Sequence, residues 1–217
     1  MRNRMKTDKD IRRTLVEMAG RRAKPGSGSQ SQDMREGRHA YGKTRLRNYL
    51  GAVPFVIVGG RATRLYMPER MTLDVDVLVC AEELPAAEAA LQSTDCERLG
   101  PLTVGRSTWH LPDGDTLDVI ALSAPWVAAA IRHAVRDADG QPCARLQDLV
   151  LMKLAAGRVQ DLADVSRMLG QASENDVDET RRAIHKYCPA DVADLESLIA
   201  LGRLEHHGRP SRHKPRQ

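Results

Sequence analysis

The chain has 217 residues and 41% hydrophobic content, enough for one good core or for a catalytic domain with a small helical appendage. No apolar run approaches the roughly 18 residues a membrane span needs, and the charged start MRNRMKTDKDIRRTL lacks the apolar stretch of a secretory signal. Four cysteines, at 80, 96, 143 and 188, are scattered with no CxxC pair, and read as buried or idle thiols in a reducing cytoplasm rather than as a zinc site or disulfide framework.

The net charge of +4 hides an asymmetry. Residues 1–50 carry 14 Lys/Arg against 5 Asp/Glu, residues 51–200 carry 14 against 23, and residues 201–217 carry 5 against 1. Basic ends therefore flank an acidic body. They read either as solvated tails or as segments that attract a polyanion such as RNA. With 3% aromatics, base stacking is not the driving force.

In chain order, residues 8–22 suit a short helix, and the Gly/Ser/Gln stretch 24–33 reads as a linker, so residues 1–40 form a flexible basic segment. The fold is expected to begin near Tyr41 with a helix leading to Leu50. PFVIVGG is a buried strand ending in a glycine turn, and RATRLYM starts a helix. TLDVDVLVC alternates with strand periodicity, LPAAEAALQST is helical in composition, and STWHL and TLDVIAL flank the turn-forming PDGD as a β-hairpin. APWVAAAIRHAV is helical. From Leu146 the pattern is helical throughout: LQDLVLMKLAAGR, VQDLADVSRML, then helices around 176–187 and 190–202, the first stopped by Pro189. The expectation is an α/β (α+β) fold. A mixed-sheet core spans 41–145, a helical segment spans 146–205, and a disordered basic tail spans 206–217.

The strongest chemical signal is TLDVDVLV. Residues two apart on a strand share a face, so Asp74 and Asp76 project side by side, with Leu73, Val75 and Val77 opposite. Paired carboxylates on a buried strand repel each other and are costly to desolvate, and a divalent cation removes both penalties. On the pair alone, an exposed strand whose acids face water remains an equal reading. TLDVIAL adds Asp118 on a second strand. Three carboxylates on neighbouring strands can hold two magnesium ions about 3.5–4 Å apart, the arrangement that serves phosphoryl transfer. Upstream, Gly59 and Gly60 sit between strand and helix, where bare backbone can approach a phosphate.

These motifs, in this order, resemble the nucleotidyltransferase fold of the DNA polymerase β superfamily, over roughly residues 45–170. The chain is most similar to the AbiEii-like group, which includes type IV toxin–antitoxin toxins and the MenT toxins. In that group a glycine pair precedes a DxD strand, a Lys motif and a DxxD motif. Here those are Gly59–Gly60, Asp74–Asp76, Lys153 and Asp161-Leu-Ala-Asp164. The wider superfamily has Ser where Gly60 stands, so this chain would offer only backbone there. The resemblance implies that Lys153 offsets charge on the triphosphate, with Arg158 and Asp161 beside it and Asp161 orienting Lys153 or a substrate hydroxyl. The residues alone favour an ordinary Lys on an amphipathic helix, with buried stem and solvated head. Arg70 and Thr72 match an R-x-T-x-D pattern of the group, Arg70 being either a phosphate contact or a solvated loop residue. His110 beside Trp109 reads as structural, and His206, His207 and His213 lack metal-ligand companions.

The resemblance further implies transfer of a nucleoside monophosphate from a nucleoside triphosphate to an acceptor hydroxyl. Two magnesium ions, or manganese in their place, would sit on Asp74, Asp76 and Asp118. The acceptor stays open among a tRNA 3′ end, a protein side chain and a small molecule such as an antibiotic. An antitoxin is a further expected partner, and an inactive module that binds nucleotide or a partner protein is the rival reading.

Overall fold

The computed structural model describes residues 45–67, 74–103 and 105–206, together with Arg13 and Val16, both helical. Arg70, Thr72, the 24–33 stretch and the tail from His207 lie outside the described residues, as does most of the basic N-terminal segment. Two compact units emerge. One holds the described residues between 45 and 149, and the other holds Arg13, Val16 and those from 150 to 206.

The first unit is a mixed α/β layer built on a seven-stranded sheet in the order β3-β4-β5-β2-β1-β7-β6. A short helix α1 (Arg47–Leu50) leads to β1 (Val56–Val58), whose three residues are all buried. Helix α2 (Gly59–Thr63) follows without a linker, beginning at the glycine pair itself rather than after it. β2 (Asp74–Cys80) pairs antiparallel with β1 and parallel with β5 (Thr116–Leu122). Between β2 and β5 come α3 (Leu84–Gln92), β3 (Glu97–Thr103) and β4 (Arg106–His110). The β4–β5 hairpin turns where PDGD predicted, closed by Leu111 and Asp115 at 2.9 Å. Helix α4 (Val127–Arg132) ends earlier than its sequence suggests, because Val135–Arg136 forms the edge strand β6 against β7 (Pro142–Cys143). The turn between them is tied by Asp137, whose carboxylate accepts from the Gln141 N–H at 2.8 Å and from Arg61 at 3.0 Å.

Alternation along the central strands does the sorting. Val75, Val77, Val79, Leu117, Val119 and Trp109 point to the buried face, and the Trp109 indole donates to Ser107 Oγ at 2.9 Å. The opposite face of the same strands carries the acids. Among the described residues no helix is long and apolar enough to cross a membrane. None of the four cysteines forms a disulfide, and burial, with the charge of Asp137 beside it, pushes the pKa of the Cys143 thiol up to about 12.

Helix α5 (Leu146–Ala156) runs from the first unit into the second and ends at Gly157, whose φ of 65° breaks the helix as the sequence suggested. The second unit continues with α6 (Val159–Gln171), α7 (Glu174–Tyr187) and α8 (Val192–His206). Ser173 caps α7 by accepting from the Asp176 N–H at 3.2 Å, and α7 stops just before Pro189. α6 crosses α8 at Gly170 and Gly202, where a side chain on either glycine would overlap backbone of the facing helix: Ser166 carbonyl for Gly202, Gly202 carbonyl for Gly170. Backbone cannot yield as a flexible side chain can. Gly202→Ala is therefore expected to cost about 1–3 kcal/mol or more, read as a drop in the urea midpoint. An unchanged midpoint would mean the helices do not meet at these glycines.

Candidate active site

Register brings the carboxylates to one face. In the parallel β2–β5 pair, Asp76 lies directly beside Asp118 and Asp74 beside Thr116. Residues paired in register share a face, as do residues two apart on one strand. Asp74, Asp76 and Asp118 therefore stand on one side of two adjacent strands. Asp74 is exposed, Asp76 half-buried and Asp118 buried.

Asp76 sits in the most demanding surroundings. Burial pushes its pKa up, the neighbouring charge of Asp118 adds to that, and Asp74 adds a smaller push; Arg106 and a hydrogen bond from the Gly60 N–H pull the other way. The glycine pair acts here too. Gly59 has φ 58°, and a Cβ on it would fall onto the Asp76 carboxylate. Its bare backbone makes room for Asp76, while Gly60 donates to it. Thr63 Oγ1 then bonds the Gly59 carbonyl at 2.7 Å and steadies the turn.

Asp118 is held by two residues that the sequence reading did not single out. Thr108 Oγ1 donates to Oδ1 at 2.6 Å, and the Arg106 guanidinium pairs with Oδ2. Both come from β4, where Thr108 lies directly across from Asp118. The signal was present in the hairpin. Extending STWHL back by one residue to Arg106 and folding it onto TLDVIAL about the turn puts the alternate residues Arg106 and Thr108 on the Asp118 face. Among the described residues no three Asp, Glu, His or Cys side chains close into a cage for an ion. The three acids share a face, but Asp118 is engaged by Arg106 and Thr108.

Asp74, Asp76 and Asp118 are all hard oxygen donors, the chemistry that magnesium and manganese prefer. A cation beside Asp76 would relieve the repulsion that its surroundings impose. On that chemistry the residues fit such an ion. His110 is exposed on the same hairpin, next to buried Trp109, with no partner role in this cluster.

The other residues of interest belong to the helical unit. Lys153 Nζ donates to Asp164 at 2.7 Å and to Asp161 at 3.2 Å, and Arg158 Nε reaches Asp161 at 2.6 Å. The Lys153 side chain is only 11% exposed and the two carboxylates 5% and 4%. The ammonium is thus sequestered in a buried ion cluster, and the solvated-head alternative does not hold. Gly157 creates the cluster by breaking the helix, which lets the start of α6 fold its acids back onto α5. Arg158, 77% exposed, closes it from outside.

No family model matches the chain, and no curated protein matches it. Among solved structures, the solution structure of the antibiotic-resistance factor ANT(2'')-Ia aligns with 16% identity over 89% of this chain and 90% of that one, at a TM-score of 0.37. The crystal structure of ANT(2'')-Ia with adenylyl-2''-tobramycin aligns with 18% identity over 70% and 87%, at 0.36. Likenesses this weak assign neither substrate nor activity to the chain.

Proposed function

We propose that the chain is a metal-dependent nucleotidyltransferase, moving a nucleoside monophosphate from a nucleoside triphosphate to an acceptor hydroxyl. The observation that carries this reading is the register of β2 and β5. It sets Asp76 beside Asp118 and leaves Asp74 on the same face, against a glycine turn that has room for nothing larger. Carboxylates gathered on one patch of a sheet face repel one another, a cost that a bound cation would offset.

In this reading Asp74 and Asp76 hold magnesium or manganese, which when bound neutralises the triphosphate and activates the acceptor oxygen. Two such ions, with Asp118 as the third ligand, complete the proposal. The protein's own parts are simpler to state. Gly59 and Gly60 fix the Asp76 carboxylate. Asp118, the most buried of the three, receives the proton of the acceptor hydroxyl. The acceptor oxygen bonds to the α-phosphorus as the bond to pyrophosphate breaks.

Binding alone provides a test. Magnesium with a nucleoside triphosphate is expected to raise the melting temperature, and magnesium alone to raise it less, because magnesium shares its coordination with substrate phosphates. A ligand at a hundred times its Kd stabilises by about 2.7 kcal/mol. Each of the four triphosphates at millimolar concentration, scanned with and without magnesium, gives the answer. No shift with any of them would leave the inactive-module reading in possession. Label transferred from the α-phosphate to total RNA, to protein extract or to an aminoglycoside panel would then identify the acceptor.

A further inference from the structure

Arg106 occupies a position that the transfer chemistry leaves unexplained. It stands on β4, one strand beyond Asp118, and its side chain is half-exposed, so nothing buries it where it is. Yet its guanidinium bonds the carboxylate oxygen Oδ2 of buried Asp118, while Thr108 takes Oδ1. Both oxygens of the third carboxylate are therefore committed to protein donors. A divalent ion arriving at that carboxylate would find lone pairs left on both oxygens but would sit against the positive Arg106 guanidinium, so the two cations compete for Asp118. Thr108 is neutral and fixed by its strand register opposite Asp118. Arg106 is charged, long and half-exposed, so it is the partner that leaves.

Resting on the reading of this face as a nucleotidyl-transfer site, we propose that Arg106 is a positioning residue that exchanges partners. It neutralises Asp118 while the site is empty, yields that carboxylate to the divalent ion, and then grips the triphosphate that arrives with it. The guanidinium suits both roles, since its planar fork pairs equally with carboxylate and with phosphate. Two cations would then never crowd Asp118 at once, and the cluster would never stand with three uncompensated acids. The arrangement also couples ligands. Metal binding frees Arg106 for the phosphates, and phosphate binding holds Arg106 away from Asp118, so each ligand raises the affinity for the other.

Manganese binding, followed by the paramagnetic signal of the free ion, tests this without turnover. Wild type, Arg106→Gln, Arg106→Lys and Asp118→Asn are compared, with and without nucleoside triphosphates whose α–β bridge is methylene. In wild type the nucleotide is expected to tighten manganese binding on the order of tenfold, the usual scale of such coupling. Arg106→Gln is expected to bind manganese alone on the order of tenfold more tightly than wild type, and to lose most of the tightening by nucleotide. Arg106→Lys keeps the competing charge and should stay near wild type. Asp118→Asn should abolish the difference between the Arg106 forms. If wild type and Arg106→Gln bind manganese with equal affinity and equal response to nucleotide, the exchange does not occur, though the metal site stands. If no form binds manganese with or without nucleotide, the metal-site reading fails and takes the exchange with it.

Discussion

Asp76→Asn is expected to abolish nucleotide transfer while making the metal-free protein more stable at neutral pH. The activity loss should reach at least roughly a hundred- to a thousandfold, the scale of removing one charge-stabilising group from a transfer site. Stability should move the opposite way because Asp76 is ionised at a cost. Its folded pKa lies above its ordinary value of 3.8, through burial first and then through the charge of Asp118. A carboxylate with a raised folded pKa favours the fold below its unfolded pKa, and that contribution is lost as pH rises through the folded pKa. The wild-type protein should therefore fall behind the variant from just above pH 3.8 upward, and the gap should close at lower pH. Asparagine keeps the shape and can still accept from Gly60, so the glycine turn is preserved. Melting temperature against pH for both proteins, beside a transfer assay, checks both halves. A variant that is less stable at pH 7 would overturn the cost assigned to the ionised Asp76, and one that still transfers would remove Asp76 from the site.

Lys153→Ala should cost the helical unit about 3–5 kcal/mol, the penalty for removing one partner from a buried ion cluster. Lys153 Nζ bonds both Asp161 and Asp164, and all three side chains are about nine-tenths buried or more. The loss should fall toward the lower end of that range because Arg158 continues to pair with Asp161 from the surface. Urea unfolding measures it. An inactive Lys153→Ala protein would say little about catalysis, since the fold itself is compromised. Lys153→Arg is the informative companion. It keeps the charge and so should keep much of the stability, but its planar fork cannot reproduce three donors around a point charge. Transfer lost in a folded Lys153→Arg protein would give Lys153 a role beyond packing. Full transfer would confine it to the cluster seen here.

Much of this was legible in the residues themselves. Strand periodicity in TLDVDVLV put Asp74 and Asp76 on one face, because side chains alternate on any strand whatever surrounds it. The hairpin around PDGD and the helices from Leu146 onward follow from local rules of turn chemistry and apolar spacing, and the structure has them in place. β3, β6 and β7 escaped. ERLGPLT carries a glycine and a proline and lacks clean alternation, and the two-residue strands β6 and β7 exist only because a neighbouring strand is there to pair with. Pairing is a property of two segments, so a single segment cannot announce it.

The same division runs through the site. The sequence by itself determined which residues carry charge, which of them alternate onto a common face, and that a glycine pair precedes them. Tertiary structure alone decided that Asp76 stands level with Asp118 rather than a residue away, that Gly59 is glycine to make room for Asp76, and that Lys153 is sequestered between two acids. It alone gave Arg106 and Thr108 their place at Asp118. The physical reason is common to all four. Composition and period are set by bonds along the chain, whereas register, close approach and ion pairing are set between segments far apart in sequence, and those distances are fixed only when the whole sheet or helix packing closes.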